Sequence, residues 1–329
     1  MLPTPVQFYS RKYGPQHHHK RPWRDVLLTR ARVTNLGFIL LLTFFALSFL
    51  LNLYYWFRPE PRLQLQVPLP RSILATIARD EPISSLEHLV IVPGHSIWKG
   101  SRETRLRASM HTTDTYPKDI VTKDQSALLI FSGGNTKSQS PHTEASSYHQ
   151  LSLVTNLISS SFTRVTTEED ALDSFQNLIF SIARFHEYTG RYPTRITVVG
   201  YEMKRKRFEE LHRAAIRWPL NRFEYIGIDA EGQDIERARE GEEINGYIPY
   251  MRDIYGCHGV LLSKRRSRNP HIRYHPYFIS APELGALFNW CPVSVDGVSN
   301  ELFRGPLPWD RLHPKPKAFL GVGLGKGYQ

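Results

Sequence analysis

The stretch Ala127-Leu-Leu-Ile-Phe-Ser-Gly-Gly134 decides the fold, because an apolar run ends abruptly in a glycine turn. A continuous apolar run of this length is typical of a strand buried on both faces. A matching run, His88-Leu-Val-Ile-Val-Pro-Gly94, lies upstream. In an open parallel sheet, ligands bind where strands end in such loops. The two turns therefore predict the position of an active crevice.

Short apolar runs alternate with longer segments of helical periodicity along the chain. Two further β-rich runs occupy Arg195–Val199 and Phe223–Ile228. Apolar residues at helical spacing predict helices over Thr143–Ser159, Glu168–Tyr188 and, with a basic surface, Met203–Trp218. This rhythm predicts a mostly parallel sheet covered on both faces, which is a Rossmann-like three-layer α/β sandwich.

An uncharged apolar segment, residues 36–57, precedes this pattern. Twenty-two residues at 1.5 Å each give about 33 Å, enough to cross a bilayer core. The aromatic residues Tyr54-Tyr55-Trp56 at its end suit the membrane interface. We predict a single-pass transmembrane helix rather than a cleaved signal peptide, since the run is long and starts late.

The formal net charge of +11 is concentrated before this segment. Residues 1–34 form a basic tail, and we recognise no nucleic-acid module, so we expect no nucleic-acid partner. The positive-inside rule predicts a cytosolic N-terminus and a C-terminal domain in the lumen of the secretory pathway, in the endoplasmic reticulum or Golgi. A mitochondrial protein is the alternative, because the N-terminus is poor in acids and contains arginine.

The rest of the chain divides by composition. Residues 58–85 predict a proline-rich stalk, residues 86–230 the α/β domain, and residues 231–329 an extension that packs on it or trails it. Within the extension, Gly259–Leu262 predicts an edge strand. The charge run Lys264–Pro270 predicts either an anion contact or a solvated loop.

The two cysteines, Cys257 and Cys291, leave their pairing open. An even pair suits one disulfide in an oxidising lumen, and two thiols equally suit the cytosol. Neither cysteine lies in a CxxC pair, so we expect no zinc or other metal site. The sequence identifies no cofactor.

The glycine turns supply the candidate ligand-binding residues Gly94, Gly133, Gly134 and Asn135. Glycine lets backbone N–H groups approach an anion, although a simple tight turn has the same composition. Ser132 is a candidate nucleophile or phosphate contact, but the G-x-S-x-G elbow is absent.

Three further residues are candidate catalytic groups because they follow predicted strands or open a helix. Glu144 is a candidate general base or hydroxyl acceptor, and the alternative is an acid that stabilises the helix dipole. His95 and Glu202 follow strands and are expected at the same sheet edge. A hydrogen-bonded structural role is the alternative for the histidine.

Three polar residues are spaced to lie on one face of the helix predicted over Glu168–Tyr188: Glu169, Asp173 and Asn177. Such a face suits the orientation of a ligand or of a metal-bound water, and solvated carboxylates are the alternative.

Several of these motifs, taken in order, resemble the ElyC/SanA/YdcF-like family, also called domain of unknown function 218. The motifs are Pro93-Gly94-His95, Phe131–Gly134, Thr143–Ala145, Glu169–Asn177 and Val198–Arg205. The resemblance covers residues 86–230 and, with the anchor, is similar to fungal members. Departures from the family pattern fall at His95 and at Tyr201-Glu202.

The resemblance implies the Rossmann-like fold and no settled reaction. We expect a membrane-anchored domain that binds or processes an anionic or nucleotide-like small molecule. The alternative is a noncatalytic membrane-tethered module in envelope, cell-wall or secretory-pathway homeostasis.

Overall fold

The structure is a computed structural model that describes residues 30–57, 76–77, 79–98, 110–228 and 235–312. Most of the basic tail and of the predicted stalk, together with residues 313–329, lies outside the described residues. The chain divides into two compact units, residues 1–64 and 65–329, and each is described by itself.

Helix α1, Arg30–Phe57, is the element described in the first unit. Its stretch Asn35–Tyr54 is long and apolar enough to cross a membrane. This matches the span predicted over residues 36–57. Length and composition fit a membrane anchor, and an N-terminal signal sequence has the same features.

The second unit contains a five-stranded sheet in which every strand pair is parallel. The strands are β1 (His88–Pro93), β2 (Ala127–Ser132), β3 (Val165–Glu168), β4 (Arg195–Tyr201) and β5 (Phe223–Ile228). Their order across the sheet is β3-β2-β1-β4-β5. The predicted α/β class with a parallel sheet is therefore confirmed. The polar strand β3 was not predicted.

The strand order places a topological switch point at the centre of the sheet. The chain moves outward from β1 through β2 to β3 and then returns to add β4 on the other side of β1. The loops leaving β1 and β4 therefore diverge to opposite faces, and a crevice opens between the carboxyl ends of these two strands.

The sheet has a hydrophobic core on each face. Leu89 lies in the larger core, with helix α5 (Ser174–Thr189). Val90, the next residue of β1, lies in the smaller core, with helices α3 (Met110–Lys123) and α4 (Glu144–Val154). Alternate strand residues thus face opposite layers, which is the three-layer arrangement.

The segment between β4 and β5 is helical but irregular, in place of the single helix predicted there. It comprises a 3-10 turn (Glu202–Lys204), a π-helix (Arg207–His212), α6 (Arg213–Ala215) and a second 3-10 turn (Leu220–Arg222). A short helix, α2 (Glu81–Ser84), precedes β1.

The extension adds short helices to the larger core. They are α7 (Ile235–Glu242), a π-helix (Glu243–Tyr247), α8 (Ile248–Arg252), α9 (Gly259–Ser267), α10 (Tyr277–Ser280), a 3-10 turn (Pro282–Leu284), α11 (Gly285–Phe288) and a 3-10 turn (Pro308–Leu312). Tyr250, Tyr277 and Trp309 are buried there beside α5. The described part of the extension therefore completes the core of the α/β domain.

Two element predictions are wrong in detail. The predicted edge strand over Gly259–Leu262 is the first turn of α9, because a four-residue apolar run fits a strand and a helix equally well. The helix predicted from Glu168 starts at Ser174, since Glu168 ends β3 and Asp173 caps the helix through its side chain.

Candidate functional site

A cavity of about 360 Å³ opens at the carboxyl ends of β1 and β4, beside the switch point. We call it the edge cavity. Its walls come from the residues after these strands, the first turns of α4 and α5, the segment after β4, and α7–α9 of the extension. Five predicted site residues line it: Gly94, His95, Glu144, Asp173 and Asn177. A concave cavity therefore lies at the sheet edge that the strand-end argument indicated.

Glu144, the first residue of α4, lies against the two glycine turns. A Cβ atom on Gly94 would lie 2.6 Å from Glu144 Cβ, and one on Gly133 would lie 2.8 Å from the same atom. Thr136 donates its hydroxyl to Glu144 Oε1 over 2.8 Å. Burial raises the pKa of Glu144, so this carboxyl is positioned to take up a proton. The glycines make room for this side chain.

The backbone amides of the glycine turns are used within the protein. Those of Gly94, Gly133 and Gly134 donate to backbone carbonyl oxygens over 2.6, 3.0 and 2.7 Å. At the start of α4, the amides of Glu144 and Ala145 donate to the carbonyl oxygens of residues 134 and 133. The turns therefore shape the cavity, and their N–H groups do not form the predicted anion cradle.

His95 contacts a lysine that the sequence did not single out. Lys204 Nζ lies 2.9 Å from His95 Nδ1, and the imidazole stacks on Tyr201 at 4.7 Å between ring centroids. Burial, and then the charges of Lys204 and Arg207, hold the pKa of His95 well below its usual value. The imidazole is therefore neutral and accepts from the ammonium group at Nδ1. Burial, and then the charge of Arg207, lower the pKa of Lys204 to about 7, so this amine is only partly protonated at neutral pH.

An arginine from the π-helix after β4 lies deeper in the edge cavity. Arg207 is 9% exposed, and its Nε lies 3.2 Å from Glu242 Oε1. Its guanidinium also lies over the ring of Tyr250, 5.9 Å from the centroid. This burial and pairing fix the cation at the wall of the cavity.

Helix α9 brings two more cations to the same cavity. Lys264 Nζ donates to the backbone carbonyl of Asn245 over 2.9 Å, and Arg268 Nη1 to that of Leu172 over 3.1 Å. These acceptors are uncharged, so neither contact offsets the positive charge of the side chain that makes it. The charge run 264–270 was the sequence signal for this feature.

Asp173 lines the edge cavity, but both oxygens of its carboxylate are bonded to other groups of the protein. Oδ1 accepts from the backbone amide of Gln176 at the start of α5, 2.9 Å away. Oδ2 forms an ion pair with Arg265 of α9, 2.6 Å away. Asp173 therefore holds α9 beside α5 and contributes little free negative charge.

Ser132 is fully buried and does not reach the edge cavity. Its hydroxyl lies 2.7 Å from Glu168 Oε2 and 3.0 Å from Asn177 Oδ1. Glu168 also accepts from the hydroxyl of Tyr277 and the backbone amide of Asp170. Burial raises the pKa of Glu168 to about 7. Ser132 is thus part of a buried polar cluster, and its position does not suit a nucleophile.

Five other predicted residues do not line the cavity: Gly133, Gly134, Asn135, Glu169 and Glu202. Glu202 forms two hydrogen bonds of 2.7 Å with Arg205, which lower the pKa of its carboxyl. Asn135 donates to the carbonyl of residue 140, and Glu169 accepts from the neighbouring threonine hydroxyl. His95 and Glu202 both follow strands that end at the same sheet edge, but only His95 lines the edge cavity.

The two cysteines form a disulfide, Cys257–Cys291, which settles the pairing left open by the sequence. His258 Nε2 lies 3.2 Å from Cys291 Sγ. Among the described residues, these three form the close group of potential metal-ligating side chains. With both sulfurs in a disulfide, no thiolate is present to bind a metal ion.

The fold and the candidate site define the class of this protein. It is an α/β protein with a parallel five-stranded sheet, a polar cavity at the switch point and one helix that fits a membrane span. It is 30% identical over 259 aligned residues to the uncharacterized protein YOR238W of Saccharomyces cerevisiae, an alignment covering 57% of this chain and 86% of the yeast protein. The chain therefore belongs to the same family as that yeast protein. No protein-family model matches the chain. No solved structure matches it either.

Proposed function

We propose that this protein is a membrane-anchored α/β domain that binds a phosphate-bearing small molecule in the edge cavity. The observation that carries the proposal is the cationic wall, by which we mean Lys204, Arg207, Lys264 and Arg268. Glu242 pairs with Arg207 and Asp173 pairs with Arg265. Lys264 and Arg268, together with Lys204 in its protonated form, therefore supply positive charge beyond these pairs. Arginine and lysine side chains converging on a concave site suit phosphate oxygens.

A further carboxyl, Glu144, and the neutral His95 line the same cavity. Burial raises the pKa of this carboxyl, which can accept a hydrogen bond from a ligand hydroxyl group. A ligand that carries both a phosphate and a hydroxyl group complements this arrangement. The resemblance to the ElyC/SanA/YdcF-like family supports the same region, because Gly94 and Glu144 lie in the motifs that carry it.

Isothermal titration calorimetry with inorganic pyrophosphate, added to the full chain in detergent, tests the proposal. We expect saturable binding that weakens roughly 10-fold in each of Lys264→Gln and Arg268→Gln, since each loses a charge-assisted hydrogen bond. Lys206→Gln is the matched control, because Lys206 is exposed and does not line the cavity. Equal affinity in all four proteins would place the binding elsewhere and refute the proposal.

We further propose that α1 is a retained anchor and that the α/β domain lies in the lumen of the secretory pathway. The basic residues before α1 support this topology, and the Cys257–Cys291 disulfide suits an oxidising compartment. Protease treatment of sealed microsomes tests it with a C-terminal tag. The tag should survive until detergent is added, and digestion without detergent would contradict the luminal orientation. Import into mitochondria instead would support the mitochondrial alternative.

A further inference from the structure

A second cavity, of about 260 Å³, borders the edge cavity. Leu172 lines both cavities, and residues of α9 contribute to the lining of each. The side of α9 that carries Lys264 and Arg268 faces the edge cavity, while the side that carries Arg265 and Arg266 faces the second one. The two cavities therefore form neighbouring compartments around the C-terminal end of one basic helix.

The second cavity is bordered by a platform of aromatic rings. Tyr274 lies nearly parallel to His275, with 8° between the ring planes, and to Phe278, with 13°. His275 and Phe278 are themselves within 20° of parallel. Tyr274 is 79% exposed, so most of its ring is open to solvent. We call these three rings the aromatic platform.

Contacts with aromatic side chains of neighbouring helices support two rings of the aromatic platform. His275 contacts Phe180 of α5 at 4.5 Å between ring centroids, and Phe278 contacts Phe288 of α11 at 5.4 Å. Burial lowers the pKa of His275 to about 4, so its ring is uncharged at neutral pH. A flat, uncharged ring surface supported by the core suits stacking against a planar aromatic ligand.

Charged side chains surround the platform. Arg266 and Arg273 are exposed and line the second cavity, and Asp170 lines it from the loop after β3. Ring stacking combined with nearby arginines is how proteins bind nucleotide bases without strong sequence preference, and a carboxylate adds an acceptor for an exocyclic amino group.

The cationic wall offers partners for phosphate groups, and the aromatic platform offers a stacking surface for a base. We infer that the ligand of the edge cavity is a nucleoside diphosphate or a related nucleotide, with its phosphates at the cationic wall and its base on Tyr274. The ligand crosses over Leu172, where the cavities meet. This inference rests on the proposed function, and it adds a base-binding subsite formed by the extension.

Calorimetric titration of the full chain in detergent with ADP, pyrophosphate and adenosine tests the inference. The wild-type protein should bind ADP at least roughly 10-fold more tightly than pyrophosphate, because base stacking adds to phosphate binding. Tyr274→Ala should lose roughly 10-fold in ADP affinity and keep its pyrophosphate affinity, while Tyr274→Phe should keep both. Ile279→Ala is the control, since Ile279 is exposed nearby and lines neither cavity.

The outcomes separate the two proposals. Pyrophosphate binding that depends on the cationic wall, with ADP affinity unchanged in Tyr274→Ala, would overturn the base subsite and leave the phosphate site standing. Absence of binding by all three probes would overturn both. A single-stranded oligonucleotide that binds more tightly than ADP, in a manner dependent on Tyr274, would overturn the assignment to a small molecule.

Discussion

Replacement of Glu168 by glutamine should stabilise the protein at alkaline pH. In the buried cluster, Glu168 Oε1 accepts from Tyr277 and from the amide of Asp170, while Oε2 lies next to the Ser132 hydroxyl. A glutamine can keep the acceptor at Oε1 and donate from Nε2 to Ser132, whose hydroxyl then donates to Asn177. It thus imitates the protonated carboxyl without bringing a charge into the core.

The magnitude follows from the pKa of Glu168. Burial raises it to about 7, from 4.5 in a solvated carboxyl, so the folded state binds the proton more tightly than the unfolded chain. The contribution of the protonated Glu168 to the stability is fully present below pH 4.5 and is lost as the pH rises towards 7. The pKa difference between the folded and unfolded states corresponds to a loss of about 3 kcal/mol in the free energy of unfolding above pH 7. For a domain of this size, that is a rise in Tm of roughly 6–12 °C for Glu168→Gln at pH 8.

Thermal unfolding of the full chain in detergent, monitored from pH 4 to pH 8, measures this effect. The wild-type Tm should fall relative to that of Glu168→Gln across the interval from 4.5 to 7, and the two should converge at pH 4. Glu169→Gln is the control, since this neighbouring side chain is only half-buried and should follow the wild-type profile. Parallel profiles for wild type and Glu168→Gln, or a less stable Glu168→Gln at pH 8, would refute the reasoning.

Three further predictions concern the stability of the domain. The Cys257→Ser/Cys291→Ser double variant should have a free energy of unfolding in urea about 3–4 kcal/mol lower, because the disulfide closes a loop with a sequence separation of 34. Reducing agent should lower the stability of the wild type by a similar amount, and a wild type unaffected by reduction would argue against this. Gly94→Ala should cost about 1–3 kcal/mol, since the new methyl group meets Glu144, and an unchanged Tm would show that this side chain moves freely. Asp124→Asn should lower the free energy of unfolding by about 1–2 kcal/mol at pH 7 and have almost no effect near pH 2. Burial opposes ionisation of Asp124, but hydrogen bonds from a serine and a histidine hold the pKa of its carboxyl at about 2. The stabilisation by the ionised carboxylate is therefore lost as the pH falls from 3.8 towards 2. A cost that persists at pH 2 would contradict that assignment.

The central strands and the position of the crevice follow from local sequence. Apolar runs such as Ala127–Phe131 have few alternatives to a buried parallel strand, and their carboxyl ends must lie at one edge of the sheet. Strand β3, Val165–Glu168, was missed because an edge strand with two threonines and a glutamate lacks that apolar signal. Its last residue, Glu168, was therefore assigned to a helix although it occupies the buried cluster.

The composition of the site depends on contacts between distant segments, which one sequence does not reveal. Ser132 follows an apolar run and precedes two glycines, a pattern typical of an exposed loop, yet Glu168 and Asn177 bury it. Lys264 and Arg268 reach the edge cavity because Asp173 pairs with a neighbouring arginine of α9, more than 90 residues away in sequence. The charge run was visible in the sequence, but not the cavity that it faces.

The location of a phosphate-like anion in crystals of the full chain soaked in tungstate tests the central claim most directly. Tungsten scatters X-rays anomalously, so a bound oxyanion gives an unambiguous peak. We predict a peak in the edge cavity within hydrogen-bond distance of at least two side chains among Lys204, Arg207, Lys264 and Arg268. An edge cavity without a peak, in crystals where tungstate binds elsewhere on the domain, would contradict the claim that the cationic wall is an anion site.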